Sequence, residues 1–118
     1  MSKSKEKEAL IAKIVEAIQD TKGEDIKVLD LTKIENSVAD YFIVCSGNSN
    51  TQVSSIAGNI EKKVRNDLKD RPWHVEGSEN AMWVLVDYIS VVVHVFQNHI
   101  RAYYDIEELR GDDKVNSI

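Results

Sequence analysis

Hydrophobic and polar positions alternate most clearly over residues 83–96, Trp83-Val84-Leu85-Val86-Asp87-Tyr88-Ile89-Ser90-Val91-Val92-Val93-His94-Val95-Phe96. Two β-branched runs flank a break at Ile89-Ser90, which predicts a β-hairpin. A two-residue turn sets Tyr88 opposite Val91, Asp87 opposite Val92 and Val86 opposite Val93. Residues opposite one another share a face and successive residues alternate. One face is then Val84, Val86, Tyr88, Val91, Val93 and Val95, a core face without charge. The other is Trp83, Leu85, Asp87, Val92, His94 and Phe96, which mixes aromatics with a carboxylate and an imidazole. That second face is the candidate binding surface.

The remaining pattern predicts alternating helices and strands. Ala9, Leu10, Ile11, Ile14, Val15, Ala17 and Ile18 form a 3.6-residue stripe, so a helix is expected over residues 6–22, stopped by Gly23. Residues 26–31 read as a short strand and residues 32–40 as a loop. Tyr41-Phe42-Ile43-Val44-Cys45-Ser46 is apolar almost throughout, as in an interior strand covered on both faces. Ser49 and Gln52 fit a capping box. Val53, Ile56, Ile60, Val64 and Leu68 carry the helix that follows, which must end before Pro72. Residues 73–77 suggest another strand and residues 97–104 a last helix. Residues 105–109 extend or follow that helix, and the tail from 110 to 118 reads as frayed. Helices interleaved with strands imply an α/β fold in a single domain over residues 1–118, with an ordered core from about 6 to 110.

Composition narrows the function. The apolar fraction is 42% and the charged fraction 30%, ordinary for a globular protein. No run is long enough to span a bilayer and no signal segment follows the charged N-terminus, so a cytoplasmic protein is expected. The single cysteine, Cys45, sits in an apolar run and reads as a small buried hydrophobe. Net charge is -5, which weighs against a domain whose main partner is a phosphate backbone. The same charge suits a basic protein, including one embedded in a ribonucleoprotein.

Candidate chemistry is sparse. His74, His94 and His99 lack zinc-ligand spacing. Asp87 and His94 share a hairpin face as diagonal neighbours, an acid–base dyad on one reading and a polar contact at a binding surface on the other. No serine or cysteine nucleophile has an identifiable base. Gly47-Asn48-Ser49 before a helix could cradle a phosphate, but no Walker or glycine-triplet pattern accompanies it. Asp105, Glu107, Glu108, Asp112 and Asp113 make an acidic segment near Tyr103 and Tyr104. Aromatic anchors rimmed by one sign of charge are the composition of a protein-binding patch.

An ordered set of motifs carries a family resemblance. They are Ala39-Asp40-Tyr41-Phe42-Ile43-Val44, Gly47-Asn48-Ser49, Glu76-Gly77, Trp83-Val84-Leu85-Val86-Asp87-Tyr88, Val93-His94-Val95-Phe96, and Arg101 with Tyr103-Tyr104-Asp105 and Glu107. Together they resemble the ribosomal silencing factors, or Iojap-like proteins, over residues 9–109. The resemblance implies a mixed sheet of about five strands with about three helices, of nucleotidyltransferase-like topology without that activity. No cofactor and no metal are expected. The resemblance implies binding to the fourteenth large-subunit ribosomal protein, which keeps the subunits apart and lowers translation. Relatives in organelles assist large-subunit assembly. The partner-binding residues expected are Trp83, Asp87, His94, Phe96, Tyr103, Asp105, Glu107 and Glu108. A homodimer is the alternative use of the apolar patch, and a nucleotide-handling enzyme built on residues 47–49 is the alternative function. No sequence-specific nucleic-acid contact is expected. Two positions depart from the family: Ile89-Ser90 replaces Gly then Asp or Asn at the hairpin turn, and Arg110 stands where Trp is common.

Overall fold

The computed structural model describes residues 3–103 and 114–117, with side chains from 5 to 101. Three helices and six strands follow in the order α1 (Lys3–Asp20), β1 (Glu24–Asp30), β2 (Tyr41–Gly47), α2 (Asn50–Leu68), β3 (His74–Glu76), β4 (Trp83–Asp87), β5 (Val91–Gln97), α3 (Asn98–Tyr103) and β6 (Lys114–Ser117). The sheet runs β3-β4-β5-β2-β1-β6. Only β2 and β5 pair in parallel, and the other neighbours are antiparallel. This is the expected α/β class with a mixed sheet, one strand wider than expected. The extra strand is β6, in a tail that the sequence suggested was frayed. Lys114-Val115-Asn116-Ser117 has no strand-like alternation; it pairs along the otherwise open edge of β1.

α1 and α2 lie on one face of the sheet, and Ile100 of α3 packs on the other. The apolar stripe of α2 is buried, with Val53, Ile56, Ile60 and Val64 each at 0% exposure. Burying a side chain of this size stabilises the fold by about 1.5–3 kcal/mol. These residues join Ile14 and Ile18 of α1 and the expected hairpin core face in one cluster. β2 is covered on both faces, as its continuous apolar run predicts.

Helix ends follow local chemistry. The capping box forms: the Gln52 N–H donates to Ser49 Oγ at 3.1 Å, and Gln52 Oε1 accepts from the Asn48 N–H at 2.6 Å. At the end of α1 the left-handed position is Lys22, at φ 62°, rather than Gly23. Gly23 is needed for space instead, because a Cβ there would overlap the Ile18 side chain.

The hairpin register agrees with the alternation. Trp83 faces Phe96, Leu85 faces His94 and Asp87 faces Val92. The Tyr88 N–H donates to the Val91 carbonyl at 2.8 Å, closing a turn over Ile89-Ser90. Ile89 takes φ 75°, a costly conformation for a β-branched residue.

Candidate functional site: the aromatic face of the sheet

Register across the strands builds the second face in rows. Glu76, Leu85, His94, Val44 and Lys27 are successive partners in one row. His74, Asp87, Val92, Phe42 and Leu29 form the next. Trp83, Phe96 and Ser46 form a third. Among the described residues no long helix covers this face. Leu31, Ile34 and Ala39 from the loop before β2, with Ile100 of α3, pack against its centre. The cover thins toward β4, where Trp83, Leu85 and Asp87 are only partly buried, and β3 leaves His74 and Glu76 exposed.

Trp83 is held from two sides. Its indole stacks on Phe96, with centroids 4.8 Å apart and planes 30° apart. Its Nε1–H donates to His94 Nδ1 at 3.1 Å. An accepting Nδ1 requires a neutral imidazole whose proton sits on Nε2. Burial favours the same state, lowering the His94 pKa to about 4. The Nε2–H is buried without a hydrogen-bond partner, beside the ring of Phe42 at 4.7 Å.

Two expected contact residues are therefore corrected. Phe96 is 0% exposed and His94 is 4% exposed. The loop and α3 close over them, so neither offers a ring to a partner, and both support Trp83 from beneath. Asp87 lies at the edge, with Oδ1 accepting from the Ile89 N–H at 2.7 Å. No hydrogen bond joins Asp87 to His94, whose Nδ1 is taken by Trp83. That removes the geometry of an acid–base dyad. The Tyr103 side chain and Asp105, Glu107 and Glu108 lie outside the described residues.

Sequence reasoning left three residues of this border out of the expected contacts. Leu85 was on the right face but is not aromatic or charged. Glu76 and His74 join that face only because β3 pairs with β4, and their side chains meet at 2.7 Å. The exposed border of the face is thus Trp83 and Leu85 beside the carboxylates of Asp87 and Glu76.

The glycine turn before α2 is already committed. Capping consumes the N–H groups of Asn48 and Gln52, and the Asn48 side chain accepts from Asn98 Nδ2 at 2.5 Å. A Cβ at Gly47 would meet the Val53 side chain at 3.1 Å, so this glycine lets α2 approach the sheet. Among the described residues no group of three or more His, Cys, Asp or Glu could hold a metal ion. Cys45 is buried, which pushes its thiol pKa up to about 12 and leaves it unreactive. No described helix is long and apolar enough to cross a membrane.

The profile of one family, described as ribosomal silencing factor during starvation, matches residues 4–118. The chain belongs to the ribosomal silencing factor family. A Halalkalibacterium halodurans protein named ribosomal silencing factor RsfS is 43% identical over 103 residues, covering 87% of this chain and 86% of that one. A Bacillus subtilis protein of the same name is 45% identical over 97 residues, covering 81% and 80%. A crystal structure of a Chromobacterium violaceum protein superposes with a TM-score of 0.84 at 39% identity, covering 91% of this chain and 88% of that one. Ribosomal silencing factors of this kind therefore share both the sequence and the fold described above.

Proposed function

We propose that this chain is a non-enzymatic repressor of translation that binds the large ribosomal subunit through its fourteenth ribosomal protein. Bound there, it occupies space that the small subunit needs. The observation that carries the reading is the uncovered border of the aromatic face. Trp83 and Leu85 sit partly exposed beside Asp87 and Glu76. Aromatic and aliphatic anchors next to carboxylates suit a partner that is basic at its rim and apolar at its centre. The relatives' name, ribosomal silencing factor, supports a ribosomal partner.

Trp83 is the anchor because Phe96 and His94 hold its ring in one orientation, which lowers the ordering cost on binding. Truncating a central aromatic anchor costs about 2 kcal/mol or more, roughly 30-fold in affinity. Trp83→Ala should abolish co-sedimentation with large subunits while circular dichroism stays unchanged. Bound protein should also reduce subunit joining in a light-scattering assay. Full co-sedimentation of a folded Trp83→Ala variant would remove this border from the interface. A large subunit that still joins its partner at saturation would refute the blocking mechanism.

A further inference from the structure

A second surface has the opposite charge. Lys62 and Arg65 lie three residues apart on one side of α2 near its end, and Lys69 caps the helix in a left-handed conformation at φ 57°. Arg71 follows in the connection to β3. All four are exposed, and none forms an ion pair with a described residue. The neighbouring Lys63 differs, held by Glu16 at 2.6 Å and Asp20 at 2.9 Å. Arg65, Arg71 and Pro72 line a shallow depression of about 460 Å³, with Glu61 as its acid. Nearby carboxylates are partly committed: Asp67 to Lys13 at 3.0 Å, and one oxygen of Asp70 to the Arg71 N–H at 2.8 Å.

Trp73 follows directly. It is 72% exposed, the most exposed aromatic among the described residues. Its backbone is pinned, with the N–H donating to the Asp87 carbonyl at 2.7 Å. Its indole lies beside the His74 ring, tilted by 56° at 5.8 Å. A fixed backbone with an uncovered ring presents a flat apolar plate next in the chain to Arg71 and Pro72, which line the depression with Arg65.

We propose that this surface binds unpaired RNA without sequence preference. A base stacks on Trp73, and the flanking phosphates meet Arg65, Lys69 and Arg71. One ring among several flexible cations is the composition of a groove that tracks a phosphate backbone, since every base offers a π-face. A protein-binding hot spot would surround the ring with apolar neighbours instead. The chain's net charge of -5 does not reveal this patch, whose cations are interleaved with Glu61, Asp67 and Asp70. The inference goes beyond the protein contact proposed above and can be tested without a ribosome.

The probe is a fluorescein-labelled ten-nucleotide oligouridine, titrated with the full chain and followed by polarisation. At low salt, binding should quench tryptophan fluorescence. Three neutralised phosphates give a slope of log affinity against log salt of about -2. Trp73→Ala should weaken binding about tenfold, with Trp73→Phe recovering part of it. Arg65→Glu with Arg71→Glu should flatten the salt slope, while Trp83→Ala leaves oligouridine binding unchanged. No polarisation change at about 1 mM protein, or equal affinity in all variants, overturns the proposal. Large-subunit binding that falls in Trp73→Ala without any oligouridine binding also overturns it, assigning the surface to a protein. Loss of subunit binding in Trp83→Ala alone bears only on the first reading.

Discussion

The Trp83–His94 contact makes a quantitative demand on pH. His94 must be neutral for Nδ1 to accept from the indole at 3.1 Å, and burial lowers its pKa to about 4. In the unfolded chain a histidine titrates near 6.5. Between those values the unfolded state holds a proton that the folded state lacks. Folding stability therefore rises with pH across that window, is complete above about 6.5, and is lost as pH falls toward 4. At about 1.4 kcal/mol per unit, the full effect of this one residue is roughly 3 kcal/mol. Native carboxylates also titrate in acid, so a control is needed. His94→Phe supplies it, keeping a flat ring while removing the titrating group. It also removes a buried N–H without a partner, which offsets loss of the bond to Trp83. At pH 7 the variant should lie within about 1 kcal/mol of the parent. Urea denaturation from pH 7 to pH 4 measures both curves, and the parent should fall more steeply. Parallel curves would mean that His94 is protonated in the folded state or solvated, and the argument for a fixed Trp83 would fail with it.

Two further substitutions test the hairpin and the turn that leads into it. Ile89 holds φ 75° with its side chain 64% exposed, so Ile89→Gly relieves strain and loses little burial. After glycine's own entropic cost the net gain is about 1 kcal/mol, seen as a melting temperature roughly 4 °C higher; a lower value would show that the turn is unstrained. Gly77 sits at φ 85°, where a Cβ would overlap the Trp83 carbonyl. Gly77→Ala should destabilise by about 2 kcal/mol or more and weaken subunit binding through displacement of Trp83, with both effects absent if β3 can shift freely.

The hairpin was legible because one face is wholly buried. A one-residue slip would move Val84, Val86, Val93 and Val95 to the other face, which outweighs the strain at Ile89. The depth of cover on the second face was not legible. It depends on Leu31, Ile34 and Ala39, from a segment without a hydrophobic period, and on Ile100 arriving from α3. Nothing local to Phe96 or His94 reveals those contacts, and an aromatic on a mixed face reads the same whether roofed or open. The pairing of β3 with β4, which brings Glu76 beside Leu85, is likewise a tertiary fact. Arg101 shows the converse. The sequence marks it as a motif residue, and the structure supplies the reason. Its Nη1–H groups donate to the Asp25 carbonyl at 2.6 Å and Ser46 Oγ at 2.9 Å, tying α3 to the irregular start of β1 and the end of β2.

Three departures from local rules fall in the β4–β5 hairpin. Trp83, a large aromatic, is left partly uncovered. His94 buries an N–H without a partner. Ile89 is the only β-branched residue at positive φ among the described residues. A strained residue costs about 1–3 kcal/mol and an unsatisfied buried donor a similar amount, a large share of the roughly 5–15 kcal/mol that keeps a chain of this size folded. The burial that would favour a more regular hairpin is available, since the opposite face of the same strands is sealed by α1 and α2. A partly uncovered aromatic, an unpaired buried donor and a strained β-branched residue in one hairpin are what a binding constraint on that element produces, although left-handed residues also stand at Lys22, Asp25, Asn36, Lys69 and Ala81. Such a constraint also accounts for the direction of each departure. The tight turn keeps Asp87 at the edge, the neutral imidazole fixes the indole, and the indole stays within reach of a partner.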